Sequence, residues 1–197
     1  MADNSCINRT FDADGIRLLR LLSPTGSKYT RKFTAHDRGN GIIVEVDECK
    51  LCKRKYNRGH RVVGAWVVGG VERTDERRVF IEQVQDRLAE TLRDIISRNI
   101  VQGSIVHSDL WRGYQRLDEL GMTHATVNHS QSFRNPIIGV HINTIEGTWN
   151  GLKLSIPPRN RNEDFIDNHL LVFIWRRNNN ENLWSALLTA FKTTLYA

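Results

Sequence analysis

The chain has 197 residues, which suits one main domain, and no apolar run approaches the ~20 residues that cross a bilayer, so no membrane partner is predicted. Its 28 lysines and arginines against 22 aspartates and glutamates give a formal net charge of +6, compatible with a nucleic-acid partner and equally with a solvated basic face. Cys6, Cys49 and Cys52 are too few for a secreted disulfide framework, and the CxxC pair lacks two further ligands for a zinc site, which favours reduced thiols.

The first 40 residues, 1–40, are predicted to form an arm, a remnant or a linker, because they are mostly polar and basic. From Gly41 the composition changes to a β-rich run that ends at Asp47, and a second such run covers Val62 to Val68. Residues 41–177 are predicted to be the main domain.

A basic segment, Lys50 to Arg61, connects these two runs. Its candidate DNA-binding residues are Lys53, Arg54, Lys55, Tyr56, Arg58 and Arg61. The segment is either a solvated hairpin tip or a contact to the phosphate backbone, with Tyr56 stacked on a base. DNA contact is favoured because the segment leaves the strand that carries Asp47.

The remaining elements alternate between strands and helices. Strands are predicted over Arg78 to Val84, Ser104 to Ser108 and Thr123 to Val127. Helices are predicted over Leu88 to Arg98, Gly113 to Leu120, Asn143 to Leu154, Glu163 to Arg177 and Glu181 to Leu195. The order predicts an α/β domain with a mixed five-stranded sheet flanked by helices, and a C-terminal helix in residues 178–197 packed on it. Five tryptophans stand in apolar or periodic contexts and are predicted to be core residues: Trp66, Trp111, Trp149, Trp175 and Trp184.

Three carboxylates stand at suggestive places in this order. Asp47 closes the first strand, Asp109 follows the fourth, and Glu146 lies on a late helix. In a mixed sheet where the first and fourth strands are neighbours, the two aspartates would converge at one edge. Hard divalent cations such as Mg²⁺ take oxygen ligands from a few carboxylates together with substrate phosphates. Singly, each acid is more often a turn former, a cap or a solvated side chain, but their joint placement favours a metal site.

Several segments resemble the Merlin-type transposase domain that is shared with related bacterial insertion sequences. They are Glu45-Val46-Asp47-Glu48, Lys53 to His60, Trp66 to Arg73, Ser108-Asp109 with Trp111, Gly113 and Tyr114, Val127-Asn128-His129, and His141 to Trp149. The resemblance covers roughly Gly41 to Arg177. It implies an RNase H-like fold and a DDE-type transposase, with Asp47, Asp109 and Glu146 as catalytic and metal-binding acids.

The third acid has an alternative position. Some bacterial relatives of this family use an asparagine at the position of Asn143, which lies three residues before Glu146 and on the same helix face. Glu146 is favoured because a charge neutralises a cation better, with Asn143 in a supporting role. Lys153 lies two turns beyond Glu146, where DDE transposases often carry a basic residue that contacts DNA; without the resemblance it would be read as a solvated helix lysine.

The resemblance also implies a reaction and its partners. The reaction would be metal-dependent phosphodiester cleavage and strand transfer in DNA transposition, with two Mg²⁺ or Mn²⁺ ions. The partners would be double-stranded DNA, at transposon ends and target, and further copies of the chain in a DNA-bound homo-oligomer. The expected location is the nucleus of a eukaryote, or the cytoplasm and nucleoid of a bacterium.

Two other functions stay open. Full-length relatives carry an amino-terminal DNA-recognition region, and residues 1–40 show no such signature. The chain could therefore be a decayed or host-adopted, non-catalytic DNA-binding protein derived from a transposase. A general RNase H-like nuclease is the other alternative.

Overall fold

The computed structural model describes residues 41–51, 64–127, 140–179 and 182–195. Within these ranges the strands are β1 (Ile43–Lys50), β2 (Trp66–Glu72), β3 (Val79–Val84), β4 (Ile105–Asp109) and β5 (Thr123–Val127). The α-helices in the same ranges are α1 (Ala89–Asn99), α2 (Asn143–Ser155), α3 (Ile166–Asn178) and α4 (Leu183–Leu195). Among the helices described, none has the length and apolarity that spanning a bilayer requires.

The five strands form one mixed sheet in the order β3-β2-β1-β4-β5. β1 pairs antiparallel with β2, and β2 pairs antiparallel with β3. On the other side of β1, β4 runs parallel to it, and β5 runs parallel to β4. Strands that run parallel need a crossover connection: the segment containing α1 carries the chain from β3 at one edge across to β4, and residues 110–122 connect the parallel neighbours β4 and β5. The mixed five-stranded sheet predicted from the sequence is confirmed. The first and fourth strands are neighbours in it, which is the condition on which the convergence of Asp47 and Asp109 depended.

The two faces of the sheet support separate apolar cores. Successive side chains along a strand point to opposite faces, so Val44 and Val46 of β1 face α1, whereas Cys49 packs with α2 and α3. The α1 face is completed by Leu92, Ile95, Ile96, Phe80 and Leu117. The opposite face is completed by Ile145, Trp149, Leu152, Ile166, Leu170 and Ile174. Each such buried side chain stabilises the fold by roughly 1.5–3 kcal/mol relative to an exposed one.

Three local predictions were wrong. The second strand, predicted from Val62 to Val68, is Trp66–Glu72, because its pairing with β1 extends to Glu72, which lies opposite Val44. The helix predicted from Gly113 to Leu120 is a pair of 3₁₀ turns, Arg112–Tyr114 and Leu117–Leu120, because Arg116 between them has a left-handed φ of 65° that no helix continues. Asp47 lies inside β1 rather than at its end. The strand continues because its pairing with β2 extends as far as Lys50, which lies opposite Trp66.

Several predictions fall on residues outside the described ranges. These are the amino-terminal arm over residues 1–40 and the basic segment from residue 52 to residue 61. The division into an arm, residues 41–177 and residues 178–197 stays a prediction, as does the packing of the last helix on the domain.

Candidate active site

A cleft of about 460 Å³ opens beside the place where β1 and β4 run next to each other. β1 and α2 supply most of its walls. The residues that line it are Asp47, Glu48, Cys49, Lys50, Trp66, Arg87, Asp109, Glu146, Trp149, Asn150 and Lys153. Acidic groups and cations therefore share one cleft.

Three carboxylates meet in this cleft, from Asp47, Glu48 and Asp109. One oxygen of each lies within 4.8 Å of the others. The parallel register that sets Glu45 opposite His107, continued two residues further, brings Asp47 and Asp109 to the same level on adjacent strands. The convergence of these two aspartates agrees with the topology argued from the sequence. Glu48 was not predicted; the available signal was the acidic pair that it forms with Asp47 in one strand.

The predicted third acid lies in the same cleft but outside this cluster. Glu146 lines the cleft from α2, and its charge contributes to raising the pKa of Asp47. Asn143 is the exposed first residue of α2 and is not among the cleft residues. Lys153, two turns along the helix from Glu146, also lines the cleft. The roles of these residues as metal or DNA ligands stay predictions.

Burial makes the charged states of Asp47 and Glu48 unfavourable. It raises the pKa of Asp47 from 3.8 to about 6, and the nearby charges of Asp109 and Glu146 add to the rise. Burial likewise raises the pKa of Glu48 from 4.5 to about 7, with further contributions from Asp47 and Asp109. A bound cation would relieve both the repulsion and the loss of hydration. The donors are carboxylate oxygens, which Mg²⁺ and Mn²⁺ prefer, so the cluster fits these ions.

An indole fixes the position of Asp47. Trp149 Nε1 donates a hydrogen bond to Asp47 Oδ2 at 2.9 Å, which partly opposes the rise of the aspartate pKa. The ring reaches Asp47 across Gly69, the residue opposite Asp47 in β2. A Cβ atom at position 69 would lie 2.7 Å from Cη2 of the indole, so only glycine leaves room for it. Asp47 is thereby held in one orientation before any ligand arrives.

Glu45, two residues before Asp47, fixes the start of α2. Its fully buried carboxylate accepts hydrogen bonds from the backbone N–H groups of Thr144 at 2.7 Å and Ile145 at 3.0 Å, and from the Thr144 hydroxyl at 2.9 Å. The first N–H groups of a helix have no partner within the helix, and negative charge is favourable there. Arg73 Nε lies 3.5 Å from the same carboxylate. β1 thus sets the helix that presents Glu146 and Trp149 to the cleft.

A buried phenol approaches the cluster from the α1 side of the sheet. Tyr114 is fully buried and faces Glu48. Within the described residues, the Tyr114 hydroxyl and Glu48 Oε1 both lack a hydrogen-bond partner of standard geometry. Burial, followed by the charges of Glu48, Asp47 and Asp109, raises the pKa of Tyr114, so the phenol keeps its proton. It is therefore a donor beside Glu48.

All five tryptophans were predicted to be core residues, and for two of them, Trp111 and Trp184, this prediction was wrong. Trp149 is buried, and Trp66 and Trp175 are partly buried against the two cores. Trp111 is 41% exposed and Trp184 is 62% exposed. Trp111 follows the end of β4, where the chain leaves the sheet, and Trp184 lies in the first turn of the last helix. An apolar sequence context did not place either side chain against the sheet.

Most of the basic segment lies outside the described residues. Lys53, Arg54, Lys55, Tyr56, Arg58 and Arg61 lie outside the described residues, and so does Cys52. Cys49 is buried in β1 and also lines the cleft. The assignment of this segment to DNA binding stays a prediction.

We predict that Glu48 contributes to metal binding. A Glu48→Gln protein is expected to bind Mn²⁺ at least about 10- to 100-fold more weakly, because even groups that support metal ligands contribute that much. Isothermal titration with Mn²⁺ measures the effect. Glu90→Gln, an exposed change in the first turn of α1, is the matched control. Equal affinities of the Glu48→Gln and Glu90→Gln proteins would contradict the assignment.

We also predict a pH-dependent effect of Asp47 on the metal-free fold. Because the pKa of Asp47 rises from 3.8 to about 6 on folding, its contribution to stability is complete below pH 3.8 and is lost as the pH rises through 6. Asp47→Asn removes this loss and is expected to stabilise the metal-free protein by about 2–3 kcal/mol at pH 8. The two proteins should be nearly equal at pH 3.5. Urea unfolding in EDTA at both pH values is the measurement, and a destabilised Asp47→Asn protein at pH 8 would be the opposite result.

The fold and the cleft together define the class of this protein: an RNase H-like domain with an acidic centre beside two adjacent parallel strands. The ISXO2-like transposase domain matches residues 40–178. The chain therefore belongs to the family of ISXO2-like transposase domains. The resemblance to the transposase domains of bacterial insertion sequences is confirmed, and so is the predicted fold class.

Similar proteins include one relative and two solved structures. An uncharacterized transposase-like protein of Haemophilus influenzae is 30% identical over 105 residues, which cover 53% of this chain and 84% of that protein. Among solved structures, the catalytic core domain of BIV integrase is similar with a TM-score of 0.48 and 14% identity, covering 79% of this chain and 98% of the other. The HTLV-2 integrase catalytic core domain in complex with magnesium has a TM-score of 0.42 and 14% identity, covering 79% and 95%.

Proposed function

We propose that this chain is the catalytic domain of a DDE-type DNA transposase. It would cut a phosphodiester bond at a transposon end and join the freed 3′-hydroxyl to target DNA, in a reaction that needs a divalent cation. The observation that carries the proposal is the approach of the Asp47, Glu48 and Asp109 carboxylates to within 4.8 Å in a cleft that Glu146 also lines. Membership of a transposase family supports the same reaction.

Asp47, Glu48 and Asp109 would hold the cation, and Glu146 would add a fourth carboxylate from α2. When bound, one or two Mg²⁺ or Mn²⁺ ions supply positive charge to the attacking and leaving oxygens of an in-line phosphodiester displacement. Trp149 keeps Asp47 in position through its indole N–H. The orientation of these acids is thus prepared by neighbours that do not themselves bind the ion, which lowers the cost of assembling the site.

Cations along the same cleft would hold the DNA. Lys50, Arg87 and Lys153 line it together with the acids, and they offer positive charge to the phosphate backbone. We expect no covalent bond between protein and DNA. The attacking oxygen belongs first to water and then to the DNA 3′-hydroxyl, so no serine, tyrosine or cysteine nucleophile is required.

The proposed partners are double-stranded DNA, as transposon end and as target, and further copies of the chain in the DNA complex. One chain offers one such cleft in its described part, whereas cutting and joining two transposon ends requires two. The chain would act where its DNA is, in the nucleus of a eukaryote or the nucleoid of a bacterium, which stays a prediction.

The experiment that tests the proposal is strand transfer by the purified chain. A DNA duplex that ends in a pre-cut 3′-hydroxyl is mixed with a plasmid target in Mg²⁺, Mn²⁺ or EDTA. Joined products in Mg²⁺ or Mn²⁺ and none in EDTA are expected. DNA binding without joining under any of these conditions would favour the non-catalytic alternative. Cleavage of RNA–DNA hybrids without joining would favour a general nuclease.

A further inference from the structure

Three side chains stack at the rim of the cleft. The Arg87 guanidinium lies over the Trp66 ring, 4.0 Å from its centroid, and over the Trp111 ring at 4.8 Å. We call Trp66, Arg87 and Trp111 the Trp-Arg-Trp stack. Its place beside the acids follows from two contacts: Trp66 and Arg87 line the cleft, and the backbone N–H of Trp111 donates to Asp109 Oδ1 at 2.9 Å.

We infer that the Trp-Arg-Trp stack binds a single-stranded DNA flank next to the phosphate that reacts. An unpaired base would stack on the exposed part of Trp111, and a phosphate would pair with Arg87. The inference rests on the proposed DNA chemistry and extends it, because it assigns a subsite and the state of the strand that occupies it.

Arg87 is suited to hold a phosphate. Its flat guanidinium is fixed between two indoles, which orients its N–H donors before a ligand arrives. Among the described residues, no carboxylate forms an ion pair with Arg87, although the Arg87 charge opposes a small part of the rise in the pKa of Glu48. The donors at the edge of the guanidinium can therefore bind two phosphate oxygens at once, which is the geometry that arginine offers best.

Trp111 is an exposed indole held in one place. It is 41% exposed, and its backbone is tied to Asp109. Gly113 leaves the space that its ring occupies, since a Cβ atom at position 113 would lie 2.8 Å from Trp111 Nε1 and 2.9 Å from Cδ1. A ring that is already fixed loses little conformational entropy when a base stacks on it. The exposed indole is therefore a prepared stacking platform.

The charges around the cleft favour a DNA strand that binds along the rim of the cleft. The carboxylates of Asp47, Glu48 and Asp109 repel phosphates when no cation is bound, whereas Lys50, Arg87 and Lys153 attract them. Lys50 also lies over the Trp66 ring, 5.4 Å from its centroid, so two cations flank one end of the stack. A strand that follows the rim would keep its backbone on these cations and its reacting phosphate above the acids.

The stack selects an unpaired strand rather than a base sequence. Inside a duplex each base is stacked on both sides and held by its pairing partner, so an unpaired base can turn its face to Trp111 where an internal paired base cannot. Stacking on an aromatic ring is tolerant of base identity, since every base has a π face. The subsite would thus recognise a frayed or overhanging DNA end.

The test measures binding of the full chain in EDTA to two labelled duplexes, one with a short 3′ overhang and one with the matching blunt end. Fluorescence anisotropy gives the affinity for each duplex. The wild type is expected to prefer the overhang. Trp111→Ala is expected to weaken overhang binding by about 5- to 100-fold and to leave blunt binding unchanged. Trp111→Phe, which keeps an aromatic ring, should retain part of the preference for the overhang. Arg87→Gln should weaken binding of the overhang and reduce the salt dependence of that binding. Trp184→Ala removes another exposed indole, from the first turn of α4, and is the matched control.

The outcomes separate this inference from the proposed function. Equal binding of the overhang by the wild type and by folded Trp111→Ala protein would overturn the subsite, as would an equal loss in Trp184→Ala. If Trp111→Ala does not fold, the Trp111→Phe and Arg87→Gln proteins take its place. Overhang binding equal to that of the wild type in both proteins would then overturn the subsite. Metal-dependent joining with no dependence on Trp111 or Arg87 would overturn the subsite alone. A Trp111-dependent preference without joining would overturn the proposed function alone.

Discussion

An Asp109→Asn protein is expected to bind DNA as the wild type does and to lose joining activity by about 10³-fold or more. Asp109 brings one of the three clustered carboxylate oxygens, and asparagine removes its negative charge. Charge stabilisation at such a centre is worth several kcal/mol, and each 1.4 kcal/mol is a factor of about ten in rate. Strand transfer of a pre-cut end in Mg²⁺ or Mn²⁺ measures the loss.

The choice of asparagine preserves the surroundings of the site. Asp109 Oδ1 accepts the backbone N–H of Trp111, and the asparagine Oδ1 can accept the same bond. Asp75→Asn is the matched control, because Asp75 is an exposed acid in the connection between β2 and β3. Joining that persists in Asp109→Asn would contradict the proposed chemistry, and so would an equal loss in Asp75→Asn.

Glu45→Ala is expected to lower the free energy of unfolding by about 2–3 kcal/mol, because it removes the charged acceptor of the backbone N–H groups at the start of α2. The variant leaves Arg73 without this carboxylate and leaves the first N–H groups of α2 without their acceptor. Unsatisfied N–H groups in a buried position are costly because they have lost water as well. Urea unfolding at neutral pH, monitored by circular dichroism, is the measurement.

Glu45→Gln provides the comparison for this prediction. Glutamine keeps one accepting oxygen of similar position but loses the charge that favours the helix start. It should therefore destabilise the fold less than alanine does. A Glu45→Ala protein with wild-type stability would show that α2 is held by its apolar contacts alone, through Ile145 and Leu152.

The sequence was sufficient to predict most of the secondary structure near the site. The β-rich run before Asp47 and the short buried strand before Asp109 are both strands. The helix that carries Glu146 also begins at Asn143, as predicted. These predictions succeeded because alternation and helical spacing are local properties, which a few neighbouring residues establish without reference to the rest of the chain.

The sequence was not sufficient where distant segments meet. Glu48 joins the acidic cluster because its strand lies next to β4, and Tyr114 approaches it from a turn more than sixty residues later in the chain. Trp111 was predicted to be buried and instead forms part of an exposed stack with Arg87. No local pattern distinguishes an indole that packs on a core from one that packs on a guanidinium.

By itself, the sequence determined the order of the five strands, the two strands that carry the aspartates and the transposase family. Only the tertiary structure decided which side chains share the cleft. It brought Glu48 into the cluster, left Asn143 outside the cleft, and placed the Trp-Arg-Trp stack at its rim. The physical reason is that strand register and helix docking are set by packing over the whole domain, here through contacts such as Glu45 with the start of α2.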